Sequence, residues 1–236
     1  MPVSRGPKCE TDFLVILDKS GSMEDIRGET IRNFNEQMQA ITTAARTQKV
    51  KMSLVTFSGP TEIETVFWRS SEAPKLTEED YVPWGSTALY DAVWEAVQAL
   101  SEELGERIPK PKSSASCKEP PAVLVIIISD GEENESYKHT SKDVAELIQE
   151  LQATDRWTFT YIGANQDLSV VSKRLGIPAG NTLGYTSDSY GTRVAGLRVE
   201  QAMVDYVESR AGGCSQQSRM FGTDSSMAGK DLTRKR

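Results

Sequence analysis

The sequence predicts an α/β domain with a doubly wound, Rossmann-like and mostly parallel sheet, helices on both faces and one antiparallel hairpin at its edge. Two apolar runs, residues 13–17 and 123–128, have no polar alternation, which is typical of strands covered on both faces. Segments with the apolar spacing of helices separate most of the strand-like segments, as in folds built from crossover connections. The turn at residues 58–60 is too short for a parallel return, so it predicts the hairpin.

The first half of the chain supplies the hairpin and two helices. Residues 24–46 have apolar side chains three and four positions apart and predict a helix that packs on the sheet. Residues 50–57 and 63–68 predict the two strands of the hairpin, and residues 76–84 predict a loop. From Thr87 onward the helical spacing returns, so Thr87 is expected at the exposed amino end of a second helix.

The second half of the chain continues the alternation of strands and helices. The closing helix is expected to turn Val194, Leu197, Met203 and Val207 toward the core. The predicted elements after the strand that ends near Asp130 are, in order, a helix over 141–152, a strand over 157–162, a helix from the N-cap Asp167 through Leu175, a brief strand over 183–185 and the closing helix over 193–210.

Length and composition predict a single domain with two extensions. A chain of 236 residues is long enough for one large α/β domain and short for two. We place the domain at residues 11–210, after an N-terminal extension of residues 1–10. Residues 211–236 are rich in Gly, Ser and charge and predict a flexible, largely disordered tail. Residues 107–121, rich in Pro, Lys and Ser, predict a mobile surface loop.

Charge and hydropathy argue against several classes of function. A net charge of −7 argues against a nucleic-acid surface, because phosphate binding needs clustered Lys and Arg. No apolar run in the sequence approaches the roughly 20 residues that span a bilayer. The first ten residues lack the hydrophobic segment of a secretory signal, so we expect a cytoplasmic location.

Cysteine and histidine usage argues against zinc and against the common hydrolase triads. Cys9, Cys117 and Cys214 are far apart and odd in number, which favours free thiols in a reducing compartment. The single histidine, His139, lies near the start of a polar helix and is predicted to be a solvated surface residue. Zinc therefore has almost no ligands, and a histidine general base is not expected.

A cluster of oxygen donors follows the first predicted strand. Asp18, Ser20 and Ser22 stand on the turn after it, and Gly21 lets the backbone bend enough to aim both serines at one point. One carboxylate and two hydroxyls are hard donors that suit Mg²⁺ or Ca²⁺. Alone this pattern is weak, because Asp and Ser are also ordinary turn and N-cap residues.

Two later segments strengthen the prediction of a metal site. Thr87 brings a hydroxyl to the head of a helix, and Asp130 follows a second buried strand. The carboxyl edge of such a sheet, where strand order reverses, is where ligands bind. Together these residues resemble the metal-ion-dependent adhesion site of the von Willebrand factor type A domain family. Asp18, Ser20 and Ser22 match its first motif, Thr87 its second and Asp130 its third.

The resemblance covers about residues 11–210 and implies a metal-dependent protein-binding module without catalytic residues. In the family the two serines and the threonine ligate the cation through their hydroxyls, and the aspartates contact it directly or through water. The implied cofactor is Mg²⁺, although Mn²⁺ or Ca²⁺ also accept such oxygens. The implied partner is a protein that contributes a Glu or Asp carboxylate. This chain resembles the intracellular bacterial or phage type, whose members often serve ATPase complexes or stress responses.

An enzyme interpretation starts from the same residues. A strand ending in Asp18 and a later Ser-Asp130-Gly are also similar to the haloacid dehalogenase phosphatases, with Asp18 as nucleophile. Ser20 stands where that family has its acid/base aspartate, which leaves no proton donor for the leaving group. A domain kept only for structure is a third interpretation, against which the complete ligand set argues. The acidic residues 132, 133 and 135 are predicted to serve solvation rather than cation affinity.

Overall fold

The computed structural model describes residues 10–45, 48–72, 75–105, 121–211 and 218–222. Within these residues one sheet contains six strands, which lie in the order β3-β2-β1-β4-β5-β6. The strands are β1 (Glu10–Asp18), β2 (Lys49–Phe57), β3 (Ile63–Ser70), β4 (Ala122–Ser129), β5 (Trp157–Ala164) and β6 (Thr182–Tyr185). The helices are α1 (Arg27–Ala44), α2 (Leu89–Glu103), α3 (Ser141–Gln152), α4 (Leu168–Leu175) and α5 (Ser189–Ala211).

The topology confirms the predicted fold class. β1 pairs in parallel with both β2 and β4, and β4, β5 and β6 continue the parallel sheet. β2 and β3 form the antiparallel hairpin at the edge. Strand order reverses between β1 and β4, so the carboxyl ends of these two strands are neighbours at the switch point. This edge of the sheet is where Asp18 and Asp130 lie.

Two apolar layers enclose the sheet. Phe13, Val15 and Leu17 of β1 pack into a cluster with α1 and α5, whereas Leu14 and Ile16 point to the opposite cluster with α2 and α3. All five side chains are almost fully buried. A strand buried on both faces therefore needs the unbroken apolar run that the sequence contains. Among the described helices, none is both long and apolar enough to cross a membrane.

The helix boundaries agree with the predicted ones only in part. α3 has the predicted bounds, because Thr140 and Asp143 form a capping box at its start. α1 begins later than predicted, since Gly21–Ile26 is a 3-10 helix. α5 begins earlier, at Ser189.

The prediction that Leu197 of α5 faces the core is wrong, because this side chain is 47% exposed. Leu197 lies two positions after the buried Ala195 and therefore about 200° away from it around the helix.

A short C-terminal segment, residues 218–222, lies against the domain. The backbone N–H of Met220 donates to Oδ1 of Asn181 at 2.9 Å, and that of Phe221 donates to the carbonyl of Gly180 at 2.9 Å. Both apolar side chains are partly buried against the core. These five residues fall within the predicted flexible tail. Apart from Ala211, which ends α5, the remainder of that tail lies outside the described residues. The same is true of residues 1–9, most of the predicted loop 107–121 and the three cysteines.

Candidate metal centre

Asp18 is the last residue of β1 and is fully buried. Its Oδ1 accepts the backbone N–H of Ser20 at 2.7 Å, and its Oδ2 accepts the hydroxyl of Ser129 at 2.6 Å. The hydroxyl of Tyr81 donates to the Asp18 carbonyl at 2.6 Å. β1 and these hydrogen bonds together fix the carboxylate at the carboxyl edge of the sheet.

Ser20, Ser22 and Asp130 lie together beside this carboxylate. Oγ of Ser20 is 3.2 Å from Oγ of Ser22, and the Ser22 hydroxyl donates to Oδ1 of Asp130 at 2.5 Å. The hydroxyl of Ser187 approaches Oδ2 of Asp130 at 3.4 Å. The turn after β1 and the residue after β4 thus meet at the switch point, as the strand ends predict.

Thr87 lies at the same edge but not in the predicted setting. It is 3% exposed and precedes α2 by two residues, so the expectation of an exposed helix start is wrong. Asn134 holds its backbone from both sides: the Thr87 N–H donates to Asn134 Oδ1 at 3.0 Å, and the Asn134 N–H donates to the Thr87 carbonyl at 3.1 Å. A Cβ added to Gly131 would come within 2.7 Å of Thr87 Oγ1, so this hydroxyl lies directly beside the residue after Asp130.

Backbone hydrogen bonds join the loop before α2 to the turn after β1. The N–H of Gly21 donates to the Gly85 carbonyl at 3.1 Å, and the N–H of Trp84 donates to the Lys19 carbonyl at 2.8 Å. Gly85 has φ +78°, a left-handed conformation that favours glycine. We refer below to Asp18, Ser20, Ser22, Thr87 and Asp130 as the candidate metal centre.

Two acidic residues that support the site were not predicted. Asp91 is fully buried, and its carboxylate accepts the backbone N–H groups of residues 137, 138 and 139. Glu133 accepts the N–H of Tyr90 and both the N–H and hydroxyl of Ser136, so the prediction that it serves solvation is wrong. The sequence signal was a carboxylate in the first turn of a helix, where Asp91 lies.

His139 is only partly solvated. Its ring stacks on Trp94 with the centroids 4.0 Å apart and the planes 11° from parallel. It precedes the N-cap Thr140 of α3, as its predicted position near a helix start requires. This packing makes His139 part of the contact between α2 and the loop 131–140.

The electrostatics of the site suit a cation. Burial raises the pKa of Asp18 to about 6, against hydrogen bonds from Ser129 and Ser20 that lower it. Burial also raises the pKa of Asp130, against the hydrogen bonds of Ser22 and Ser187. A bound cation would offset the cost of desolvating these two carboxylates. In the part of the chain that the structure describes, no three His, Cys, Asp or Glu side chains converge, so coordination would depend on the serine and threonine hydroxyls as well.

No protein-family model and no curated protein sequence matches the chain. Solved structures do match. The vWF domain of the type V pili tip protein Mfa5 from Porphyromonas gingivalis aligns with a TM-score of 0.57 at 11% identity, over 90% of this chain and 98% of that domain. The pilus adhesin SpaC from Lactobacillus rhamnosus GG aligns with a TM-score of 0.55 at 11% identity, over 86% of this chain and 32% of SpaC.

A third structural neighbour is the proximal thread matrix protein 1 from the mussel byssus. It aligns with a TM-score of 0.53 at 15% identity, over 84% of this chain. The chain spans about half the length of this neighbour, 47%. At such identities the likeness concerns the fold alone. The strand order, the edge hairpin and these neighbours together show that the chain has a von Willebrand factor A-like fold.

Proposed function

We propose that the chain is a metal-dependent protein-binding module whose divalent cation is held by Asp18, Ser20, Ser22, Thr87 and Asp130. Mg²⁺ is the proposed cation, and Mn²⁺ or Ca²⁺ would suit the same oxygens. One observation carries the proposal. The Ser22 hydroxyl and the Asp130 carboxylate, which come from separate strand ends, meet at 2.5 Å beside a buried Asp18 whose pKa is raised by burial.

The candidate metal centre combines charged and uncharged oxygen donors. Asp18 and Asp130 supply the negative charge, while the hydroxyls of Ser20, Ser22 and Thr87 add oxygens without further charge. When bound, the cation would supply an electrophilic centre that accepts a Glu or Asp carboxylate from a partner protein. The hydrogen bonds from Ser129 and from the Ser20 backbone hold Asp18 in one orientation before any ligand arrives.

The structural neighbours support a binding role over an enzymatic one, since two are pilus proteins and the third is a byssus matrix protein. A partner in an ATPase complex, a role in stress responses, a bacterial or phage origin and a cytoplasmic location are further proposals that rest on the sequence resemblance. A phosphatase reaction has less support. Ser20 stands where a proton donor would be required, so the leaving group of a phosphate ester would have no general acid.

Affinity capture in Mg²⁺ and in EDTA tests the proposal. Wild-type protein should retain a partner in Mg²⁺ and release it in EDTA, and Asp18→Ala should retain none. Glu150→Ala, an exposed carboxylate on α3, is the matched control and should behave as wild type. Equal capture in EDTA would contradict the metal-bridged mechanism. Hydrolysis of p-nitrophenyl phosphate that Asp18→Asn abolishes would instead favour the phosphatase.

A further inference from the structure

Residues 81–84, in the loop before α2, alternate between buried and exposed side chains. Tyr81 is fully buried and Pro83 is buried, whereas Val82 is 51% exposed and Trp84 is 56% exposed. The other three tryptophans are packed or paired: Trp157 is fully buried, Trp94 stacks on His139 and the indole N–H of Trp68 donates to Glu103. Trp84 thus differs from the rest in presenting more than half of its surface to solvent.

The segment that carries this exposed pair is hydrogen-bonded to the candidate metal centre at both of its ends. The Tyr81 hydroxyl donates a hydrogen bond to the Asp18 carbonyl. The backbone N–H of Trp84 donates to the carbonyl of Lys19, the residue between Asp18 and Ser20. The next residue, Gly85, accepts the N–H of Gly21. These backbone hydrogen bonds at Trp84 and Gly85 therefore fix the backbone of Trp84 against the turn that carries Ser20 and Ser22.

An exposed tryptophan on a fixed backbone is suited to contact a bound ligand. It offers a large apolar surface with few rotatable bonds, so little conformational entropy is lost when a ligand covers it. Tryptophan is accordingly enriched among the residues that dominate binding energy at protein interfaces. Val82, two positions earlier on the exposed side, extends the apolar surface.

We propose that Trp84, together with Val82, determines the specificity of the candidate metal centre, which favours a carboxylate ligand that has an aromatic or large aliphatic group next to it. The proposal rests on the proposed function. In a protein partner, the ligand is an acidic residue with a neighbouring aromatic or large aliphatic side chain. The metal accounts for capture of the carboxylate, and the indole accounts for the choice among carboxylates.

Small carboxylates test this without a known partner. The full chain is titrated with acetate and with 3-phenylpropionate, in Mg²⁺ and in EDTA, and dissociation constants are read from amide chemical shifts. In Mg²⁺, 3-phenylpropionate should bind about fivefold more tightly than acetate, the gain expected for one aromatic contact. Trp84→Ala should remove that preference while acetate affinity stays unchanged, and Trp84→Phe should restore most of it. Leu197→Ala, an exposed apolar truncation on α5, is the control and should keep the preference.

The outcomes separate the two proposals. Equal binding of the two carboxylates to wild type, or a preference that survives in Trp84→Ala, would overturn the role of Trp84 and leave the metal centre standing. Binding of 3-phenylpropionate that is equally tight in EDTA would also overturn it, because the apolar contact would then act without the carboxylate site. If neither carboxylate binds in Mg²⁺, the proposed function itself fails, and the specificity proposal fails with it.

Discussion

Asp18 couples the candidate metal centre to pH. Its pKa is about 6 in the folded chain against 3.8 in the unfolded chain, which corresponds to about 3 kcal/mol. Without metal, the folded state binds more protons than the unfolded state from about pH 4 to about pH 6. The contribution of Asp18 to the free energy of unfolding is therefore largest below about pH 4 and falls as the pH rises through that range.

Replacing Asp18 with Asn should remove this dependence. In EDTA, the free energy of unfolding of Asp18→Asn should rise by about 3 kcal/mol relative to wild type between pH 4 and pH 7. Urea unfolding at several pH values measures it, and the subtraction cancels the carboxylates that the two proteins share. Parallel stability curves for the two proteins would show that Asp18 is not held at a raised pKa.

Asn134 is a positioning residue for Thr87. Asn134→Ala removes the acceptor of the Thr87 N–H, a hydrogen bond worth about 1 kcal/mol, so Mg²⁺ affinity should fall about fivefold while the metal-free protein stays folded. Asn134→Asp keeps an acceptor and should retain most of the affinity. Calorimetric titration with Mg²⁺ measures both variants. Wild-type affinity in Asn134→Ala would mean that the position of Thr87 does not depend on this contact.

Asp91 of α2 holds the loop 131–140 against that helix by hydrogen bonds to the loop backbone. Asp91→Ala would leave three backbone N–H groups, those of residues 137 to 139, without their acceptor in a partly buried setting. We expect a loss of about 3 kcal/mol in the free energy of unfolding, because unsatisfied buried donors are costly. The control is Glu95→Ala, which removes a partly exposed ion pair to Lys138 at 2.7 Å and should cost under about 1 kcal/mol. Similar losses in the two variants, measured by urea unfolding, would contradict this account.

The elements were predictable because their signals are local. An unbroken apolar run marked β1 and β4, the helical spacing of apolar residues marked α3, and the three-residue turn marked the hairpin. The strand ends placed Asp18 and Asp130 at one edge. The contacts of Asn134, Asp91 and Glu133 were not predictable, because each joins a side chain to a backbone group more than forty positions away. Leu197 was misplaced because the buried face of α5 contains Ala195 and Met203, and the exposed Leu197 lies on the other side of the helix.

At the scale of the molecule, residues 218–222 contribute contacts that composition did not predict. Ending the chain after residue 217 should lower the free energy of unfolding by about 2 kcal/mol relative to ending it after residue 222. This truncation removes two hydrogen bonds, each worth about 1 kcal/mol, and the partial burial of Met220 and Phe221. Chemical denaturation of both truncated chains measures the difference. Equal stabilities would show that the segment adds nothing to the folded domain.

The whole account depends on a cation at the switch point of the sheet. Calorimetric titration of Mg²⁺ into purified protein tests this most directly, with thermal unfolding as a second readout, because a ligand that binds only the folded state raises its stability. Wild type should bind Mg²⁺ at one site per chain, Thr87→Ser should retain binding, Thr87→Ala should weaken it and Asp18→Ala should abolish it. Absence of both binding heat and a thermal shift in wild type, with Mg²⁺, Mn²⁺ and Ca²⁺ alike, would contradict the account.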